Sequence, residues 1–342
     1  MKNKKTFLSI IKAIISISLL LFIILNMNWS DVSKNLKNAN YYYLSITIVL
    51  FIIERSEITY KWNLLIRARG ITISFGRLLM INLIGSFWGL FIPSSLGTDV
   101  ARGYYLAKNN AEKSISISSV FVDRILGVFS IFFLALISVI FAGDLFSKYN
   151  IKFYVFLFST ILIVLFYFFQ RKETTQILER FLIKISYKKL YEIISKLHKS
   201  ILEYKKYPKT LLLSFFFTLM AHATRVLIFY FVALSFNISV PLIYFFFFIP
   251  LVTLVLMIPI SIGGLGIGEG AFIAFFSIVG VSLSNCITMA FTNSILNTLF
   301  TLSGGIVYLF YKNPIKKEND QINNLELTHD IQSERTKLEI KG

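Results

Sequence analysis

Apolar residues fall along the chain in long unbroken runs, not in the alternating order of half-buried strands. Six such runs cover about 7–25, 43–65, 115–142, 152–170, 210–234 and 287–311. A transmembrane helix needs roughly 20 apolar residues, and each run is near or above that length. Two further apolar stretches, about 78–106 and 242–281, are interrupted. The first breaks at I-P-S-S-L-G-T-D (Ile92 to Asp99) and the second at I-P-I-S-I-G-G-L-G-I-G-E-G (Ile258 to Gly270). Pro93 precedes Pro259 by 166 residues, and Ser95 with Ser261 and Gly97 with Gly263 keep the same spacing. Proline removes a backbone donor and glycine loosens a helix. Unwinding is therefore predicted at Pro93 and Gly97 and again at Pro259, Gly263, Gly264 and Gly266. Unwound backbone at bilayer depth persists only where protein or a water-filled cavity surrounds it. Paired breaks of this kind point to a transport site between two halves of a membrane protein.

The pattern predicts an all-α, polytopic membrane protein with about six full spans. Two opposed re-entrant or broken helical hairpins would complete an inverted repeat. Repeat one covers about 7–170 and repeat two about 210–311, within a membrane domain of 1–314. The apolar start, preceded by lysines, has no small-residue cleavage site after it and reads as an uncleaved first span.

Composition sharpens this picture. Mean hydropathy is +0.69 and 56% of residues are hydrophobic, which excludes an ordinary soluble domain. Absence of strand alternation excludes a transmembrane barrel. The net charge of +17 would suit a nucleic-acid binder, but Lys and Arg gather on cytoplasmic loops by the positive-inside rule, so no nucleic-acid partner is expected. The single cysteine, Cys286, excludes an internal disulfide, and His198, His222 and His329 are too scattered for a usual zinc site. No metal and no cofactor are expected. There is no P-loop pattern, so ATP hydrolysis by this chain is not expected.

Charge also fixes an orientation. Section 171–209 holds eleven Lys/Arg against four Glu, which makes it cytoplasmic, and lysines at the start place the N-terminus there too. Both agree if the first broken segment enters and leaves from the cytoplasmic side. The second then enters from outside, and the C-terminus returns to the cytoplasm. Within 171–209, Leu190, Ile194, Leu197 and Ile201 recur at helical spacing between lysines. This fits a helix on an anionic leaflet or a solvated cytoplasmic helix. The tail, 315–342, mixes six acidic with five basic residues and reads as a polar cytoplasmic extension, disordered by composition.

Ionisable residues inside spans carry the functional signal, because each costs at least about 2.5–3.5 kcal/mol at the bilayer centre. Span 43–65 contains Glu54, Arg55 and Glu57; span 115–142 contains Asp123 and Arg124; span 210–234 contains His222 and Arg225. Glu54 and Glu57 share a face by i,i+3 spacing, while Arg55 points elsewhere. Asp99 and Arg102 follow the first break, and Glu269 follows the second. Either these groups form interhelical ion pairs that hold the bundle, or they line a polar cavity for a charged headgroup. In the second reading Arg102 is a natural phosphate partner, since guanidinium matches two oxygens at once.

Four segments in order resemble the transmembrane, flippase-like family of the lysylphosphatidylglycerol synthases. They are Y-K-W-N-L-L-I-R-A-R-G (Tyr60 to Gly70), I-P-S-S-L-G-T-D-V-A-R-G (Ile92 to Gly103), V-D-R-I-L-G (Val122 to Gly127) and I-P-I-S-I-G-G-L-G-I-G-E-G-A-F (Ile258 to Phe272). The resemblance covers about 7–311. It implies a membrane protein that moves a phospholipid or lipid-linked headgroup between leaflets; the arginines point to an anionic or phosphate-bearing headgroup, and the Lys-, Asn-, Ile- and Phe-rich composition to the plasma membrane of a prokaryote. It carries over Arg102, Arg124 and Glu269 as charged positions. It also implies that a lipid-modifying enzyme is encoded separately, since no cytosolic aminoacyltransferase domain is legible and lysyltransferase activity is not expected. Gly268 stands where the family often has Arg, which removes one implied headgroup contact. A membrane-embedded transferase with Asp99 or Asp123 as base, and a small-solute transporter, are the competing expectations.

Overall fold

The structure is a computed structural model and describes residues 37–91, 97–108, 112–141, 160, 188–257 and 266–311. The expected span at 7–25, that at 152–170 apart from residue 160, residues 171–187, the tail, and four of the break positions (Pro93, Pro259, Gly263 and Gly264) lie outside the described residues.

Every regular element among the described residues is helical. They are α1 (Tyr41–Ala68), α2 (Phe75–Phe91), α3 (Gly97–Ala107), α4 (Lys113–Phe141), α5 (Lys188–Leu202), a 3-10 turn (Glu203–Lys206), α6 (Pro208–Ser235), α7 (Leu242–Met257), α8 (Ile267–Ile278) and α9 (Leu283–Phe310). Three are long and apolar enough to cross a membrane: Lys113–Ser138 of α4, Pro208–Ser235 and Leu283–Phe310. Helix α1 is as long, at 28 residues, but Glu54, Arg55, Glu57 and Lys61 interrupt its apolar character.

Local chemistry sets the ends. The Asn40 side chain accepts from the Tyr42 N–H at 3.0 Å and starts α1, as an N-cap residue should. Helix α1 stops at Gly70, whose φ of +80° is open to glycine at no steric cost. There the Ile71 N–H returns to the Ile66 carbonyl at 3.1 Å, a bond that satisfies an orphan carbonyl. Pro208 opens α6 at a position where its missing N–H costs nothing.

Helices α1 and α6 form an antiparallel central pair. At one end the Asn40 N–H donates to the Ser235 carbonyl at 2.7 Å; at the other, the Ser214 hydroxyl donates to the Lys61 carbonyl at 3.3 Å. Each helix feeds a helical hairpin. In the first, α2 and α3 run antiparallel: a Cβ added at Gly85 would lie 3.0 Å from Arg102 Cβ, and one at Gly89 would collide with the Thr98 hydroxyl. In the second, α7 and α8 run antiparallel, with Phe245 and Phe276 rings 4.8 Å apart and Phe248 stacked 5.7 Å from Phe275. Since α1 and α6 point in opposite directions, the hairpins start from opposite ends of the pair. Phe245, Phe248, Phe272 and Phe276, all buried, fill the main core between α6, α7 and α8.

Helix α5 packs on this frame. Arg69, just past α1, donates to the Ser200 carbonyl at 2.5 Å and sits 5.3 Å from the Tyr204 ring centroid. Ser118 and Ser200 hydroxyls meet at 2.8 Å, and Ile201 joins Leu65 and Val122 in a small core. Of the apolar stripe anticipated in this section, Leu197 and Ile201 dock on α1 and α4; Leu190 and Ile194 lie outside the described side chains. Burial pushes the Tyr204 phenol well above its ordinary pKa, which keeps it a neutral wall of that core. Arg69→Ala is expected to loosen α5 from the frame: limited trypsin digestion at Lys196, Lys199 and Lys205 should speed several-fold while the main melting transition stays in place.

Candidate functional site: a charged chamber between the hairpins

The face of α1 that meets α6 and the first hairpin carries charge at every turn. Glu54 accepts from Arg225 of α6 at 2.7 Å. One helical turn on, Glu57 is buried against α6 beside the Thr224 hydroxyl. Lys61, a further turn on, reaches Asp123 of α4 at 2.7 Å. Arg55 points away from this row, as its 100° offset requires, and donates to Asn297 of α9 at 2.8 Å.

Asp123 anchors a row of ions alternating in sign. Lys61 holds one of its oxygens, and Arg102 of α3 holds the other at 2.7 Å. Arg102 also bonds Asp99 at 2.9 Å, one turn back on α3. Asp99 in turn meets Arg124 of α4 at 3.4 Å. Asp123 and Arg124 are neighbours in sequence, so they diverge around α4 and find different partners. Beneath Arg102 lies the Trp62 ring, 5.0 Å from the guanidinium carbon. Trp62 is fully buried and donates to Ser119 at 3.0 Å. Asp123 and Arg102 are each 4% exposed, whereas the Arg124 side chain is 29% exposed.

These groups enclose a chamber of about 290 Å³. Arg55, Lys61, Arg102, Arg124 and Arg225 line it against three carboxylates, Glu54, Asp99 and Asp123. The lining therefore has a formal surplus of two positive charges. His222 adds a ring that hydrogen-bonds the backbone of Gly127. A second polar chamber of about 270 Å³ shares Glu54, Arg55, Ser86, Thr98 and Arg225 with the first, and adds Asn293, Asn297 and Thr301 of α9. Two guanidinium donors on the lining residues, Arg55 Nε and Arg102 Nε, are buried without a hydrogen-bond partner among the described residues. An anion with several acceptor oxygens fits such a lining.

Eight of the ten charged or titratable residues read from the sequence converge here: Glu54, Arg55, Asp99, Arg102, Asp123, Arg124, His222 and Arg225. Two do not. Glu57 lies behind the chamber wall. Glu269 closes the start of α8: it accepts from the Gly266 N–H at 2.8 Å and from the Ser294 hydroxyl at 2.5 Å. Gly266, with φ of +80°, makes the turn into that helix, and Gly97 begins α3 directly ahead of Thr98 and Asp99. Lys61, Trp62 and Asn297 were missed as site residues. Lys61 had a legible signal, since it follows Glu54 by seven and Glu57 by four residues and so shares their helix face.

Comparison with known proteins gives a consistent answer. The family described as the lysylphosphatidylglycerol synthase TM region matches residues 9–305. The chain is 26% identical over 328 residues to UPF0104 membrane protein MJ1595 of Methanocaldococcus jannaschii, covering 91% of this chain and 97% of that protein. It is 25% identical over 302 residues to a UPF0104 membrane protein of Methanothermobacter thermautotrophicus, covering 83% and 88%. A second protein of Methanocaldococcus jannaschii, UPF0104 membrane protein MJ1078, is 26% identical over 238 residues, covering 68% and 97%. No solved structure matches.

Proposed function

The chain belongs to the lysylphosphatidylglycerol synthase transmembrane family, and from that membership we propose that it is a lipid translocase. In this reading the chamber receives the phosphate-bearing headgroup of a membrane lipid and passes it between leaflets. The observation that carries the reading is the charge surplus: five cations face three carboxylates in a cavity walled by α1, α2, α3, α4, α6 and α7. Buried charge of this kind is costly in a membrane and marks substrate pathways. The two hairpins, started from opposite ends of the α1/α6 pair, belong in this reading to the two halves of an inverted repeat with about six full spans. Rocking one half against the other would expose the chamber alternately to each side. The termini are cytoplasmic and the membrane is the plasma membrane of a prokaryote. A separately encoded lipid-modifying enzyme would supply the headgroup.

The competing transferase reading fits the chamber less well. Its general base would be Asp99 or Asp123, yet each is held by two cations: Asp99 by Arg102 and Arg124, Asp123 by Lys61 and Arg102. Both oxygens of each carboxylate thus already face a cation, and neither is turned toward a substrate hydroxyl.

Arg124 offers the cleanest test, because its ion contact is long and its side chain half-open. In liposomes carrying a trace of fluorescent anionic phospholipid, the wild-type protein should bring inner-leaflet label out to an external quencher. Arg124→Ala is expected to slow this by about tenfold, the effect of losing roughly 1.4 kcal/mol of phosphate contact, with melting little changed. Folded wild-type protein that accelerates no phosphate-bearing lipid would overturn the proposal.

A further inference from the structure

The charged chamber adjoins a space of opposite chemistry. Between α3 and α4 lies a groove of about 470 Å³, walled by Val100, Gly103, Tyr104, Ile117, Val120 and Phe121. Its volume is in the range of small-molecule sites. Val100, Tyr104 and Ile117 are 65%, 54% and 51% exposed, so the groove's outer lip is open among the described residues. Charge enters only at its ends. Lys113, the first residue of α4, stands at one of them; Asp99 and Arg124 stand where the groove meets the polar chamber. Those two residues line both spaces. Asp99 belongs to α3 and Arg124 to α4, so their ion pair ties the helices together at the junction. At 3.4 Å it is the longest contact in the row that runs from Lys61 to Arg124.

We propose that the α3/α4 groove holds a hydrocarbon chain of the lipid whose phosphate lies at Arg124, and that the Asp99–Arg124 pair is the threshold between them. This rests on the headgroup reading of the chamber. The lipid phosphate takes the place of Asp99 on Arg124, where guanidinium can hold two of its oxygens. Asp99 is not stranded by the exchange, because Arg102 still holds it at 2.9 Å. The apolar wall adds little net attraction, since bilayer lipid is as apolar as the groove. Its role is geometric: the chain stays in an oil-like track while the headgroup stands among ions. A free phosphate has no use for such a track, and this distinguishes the two sources of the same anion.

Gly103 gives the means to close the groove. A Cβ built there meets Val120 Cγ2 at 3.7 Å and the Ser116 carbonyl at 3.9 Å, ordinary contact distances, so the first carbon of a Gly103→Leu side chain fits an unmoved backbone and the rest of it competes for the space that the groove occupies.

The test is photo-crosslinking of full-length protein in nanodiscs, using phosphatidylglycerol with a diazirine on one acyl chain. Labelled peptides are mapped by mass spectrometry. The reference surface is the outer face of α9, where Ile306, Leu309 and Phe310 are 63%, 78% and 78% exposed. Label is expected to favour the peptides of Val100–Tyr104 and Ile117–Phe121 by about tenfold over α9, equivalent to roughly 1.4 kcal/mol of preference. Arg124→Ala and Gly103→Leu should each bring it down to the α9 level, and Ile117→Trp should do the same if Gly103→Leu fails to fold. Even labelling of groove and α9 overturns the proposal. So does equal enrichment with a diazirine diacylglycerol lacking phosphate, which would remove Arg124 from the recognition. Loss of label on adding millimolar inorganic phosphate would make a free anion the ligand and overturn the chain site, whereas unchanged label supports the lipid. Because crosslinking needs no transport, groove labelling without translocation would sink the translocase reading alone. Translocation with even labelling would sink the chain site alone.

Discussion

Arg102→Ala is expected to cost about 3–5 kcal/mol of stability, the usual penalty for removing one partner from a buried ion pair, and to abolish translocation with it. The residue is 4% exposed and bonds Asp99 and Asp123 at 2.9 and 2.7 Å. Removing it leaves Asp123 with Lys61 alone and Asp99 with the longer Arg124 contact. It also uncovers the Trp62 ring. Thermal melting in detergent measures the first effect, and the liposome assay the second. Arg102→Ala with Asp123→Asn should melt lower than Arg102→Ala alone, because Asp123 is still paired with Lys61, and neutralising it leaves that buried ammonium without a carboxylate. If Arg102→Ala melts like the wild type while transport stops, the row is substrate machinery and contributes little to holding the helices.

Gly304→Ala tests the bundle at a different point and with the opposite chemistry. A Cβ there would collide with the Leu83 carbonyl of α2 and lie 3.2 Å from Phe87 Cβ. Backbone cannot rotate aside, so α9 must move off α2. Overpacking of this kind costs about 1–3 kcal/mol, against the ~1 kcal/mol that alanine gains over glycine in a free helix. A lowered melting temperature is expected, and a raised one would mean that the helices do not touch at Gly304. Gly305→Ala should be milder, because its Cβ meets only the Phe87 ring, at 2.7 Å, which can turn away. Movement of α9 would also pull Asn297 from Arg55, so transport should fall with stability.

Much of this arrangement was legible in the chain, for physical reasons. Long apolar runs with polar flanks define helices whatever their neighbours do: the runs at 43–65 and 210–234 appear as the helices Tyr41–Ala68 and Pro208–Ser235, lengthened by the Asn40 cap and by Pro208, and the second of them is apolar enough to cross a membrane. Charges too costly to leave in lipid had to meet, and most of them do. What stayed hidden depended on partners. Gly85, Gly89 and Gly304 look like any membrane-helix glycine until the opposing backbone is seen. Glu269 looked like a cavity charge because it follows a break, yet the i,i+3 relation to Gly266 already described a helix cap. Lys61 hid among aromatic neighbours in Y-K-W-N, although its spacing from Glu54 and Glu57 put it on their face.

The shortness of the hairpin helices bears on how the protein sits in its surroundings. At 1.5 Å per residue, helices of 17, 11, 16 and 12 residues reach only about 25, 16, 24 and 18 Å. Each is less than the ~30 Å hydrocarbon slab. Where such helices stand across the slab, lipid beside them thins or water follows the chain inward. Either adjustment compresses the transmembrane voltage into a narrow layer. A charge crossing that layer gains about 2.3 kcal/mol per 100 mV, so an anionic cargo would feel most of the cell's electrical gradient within a few ångströms of travel.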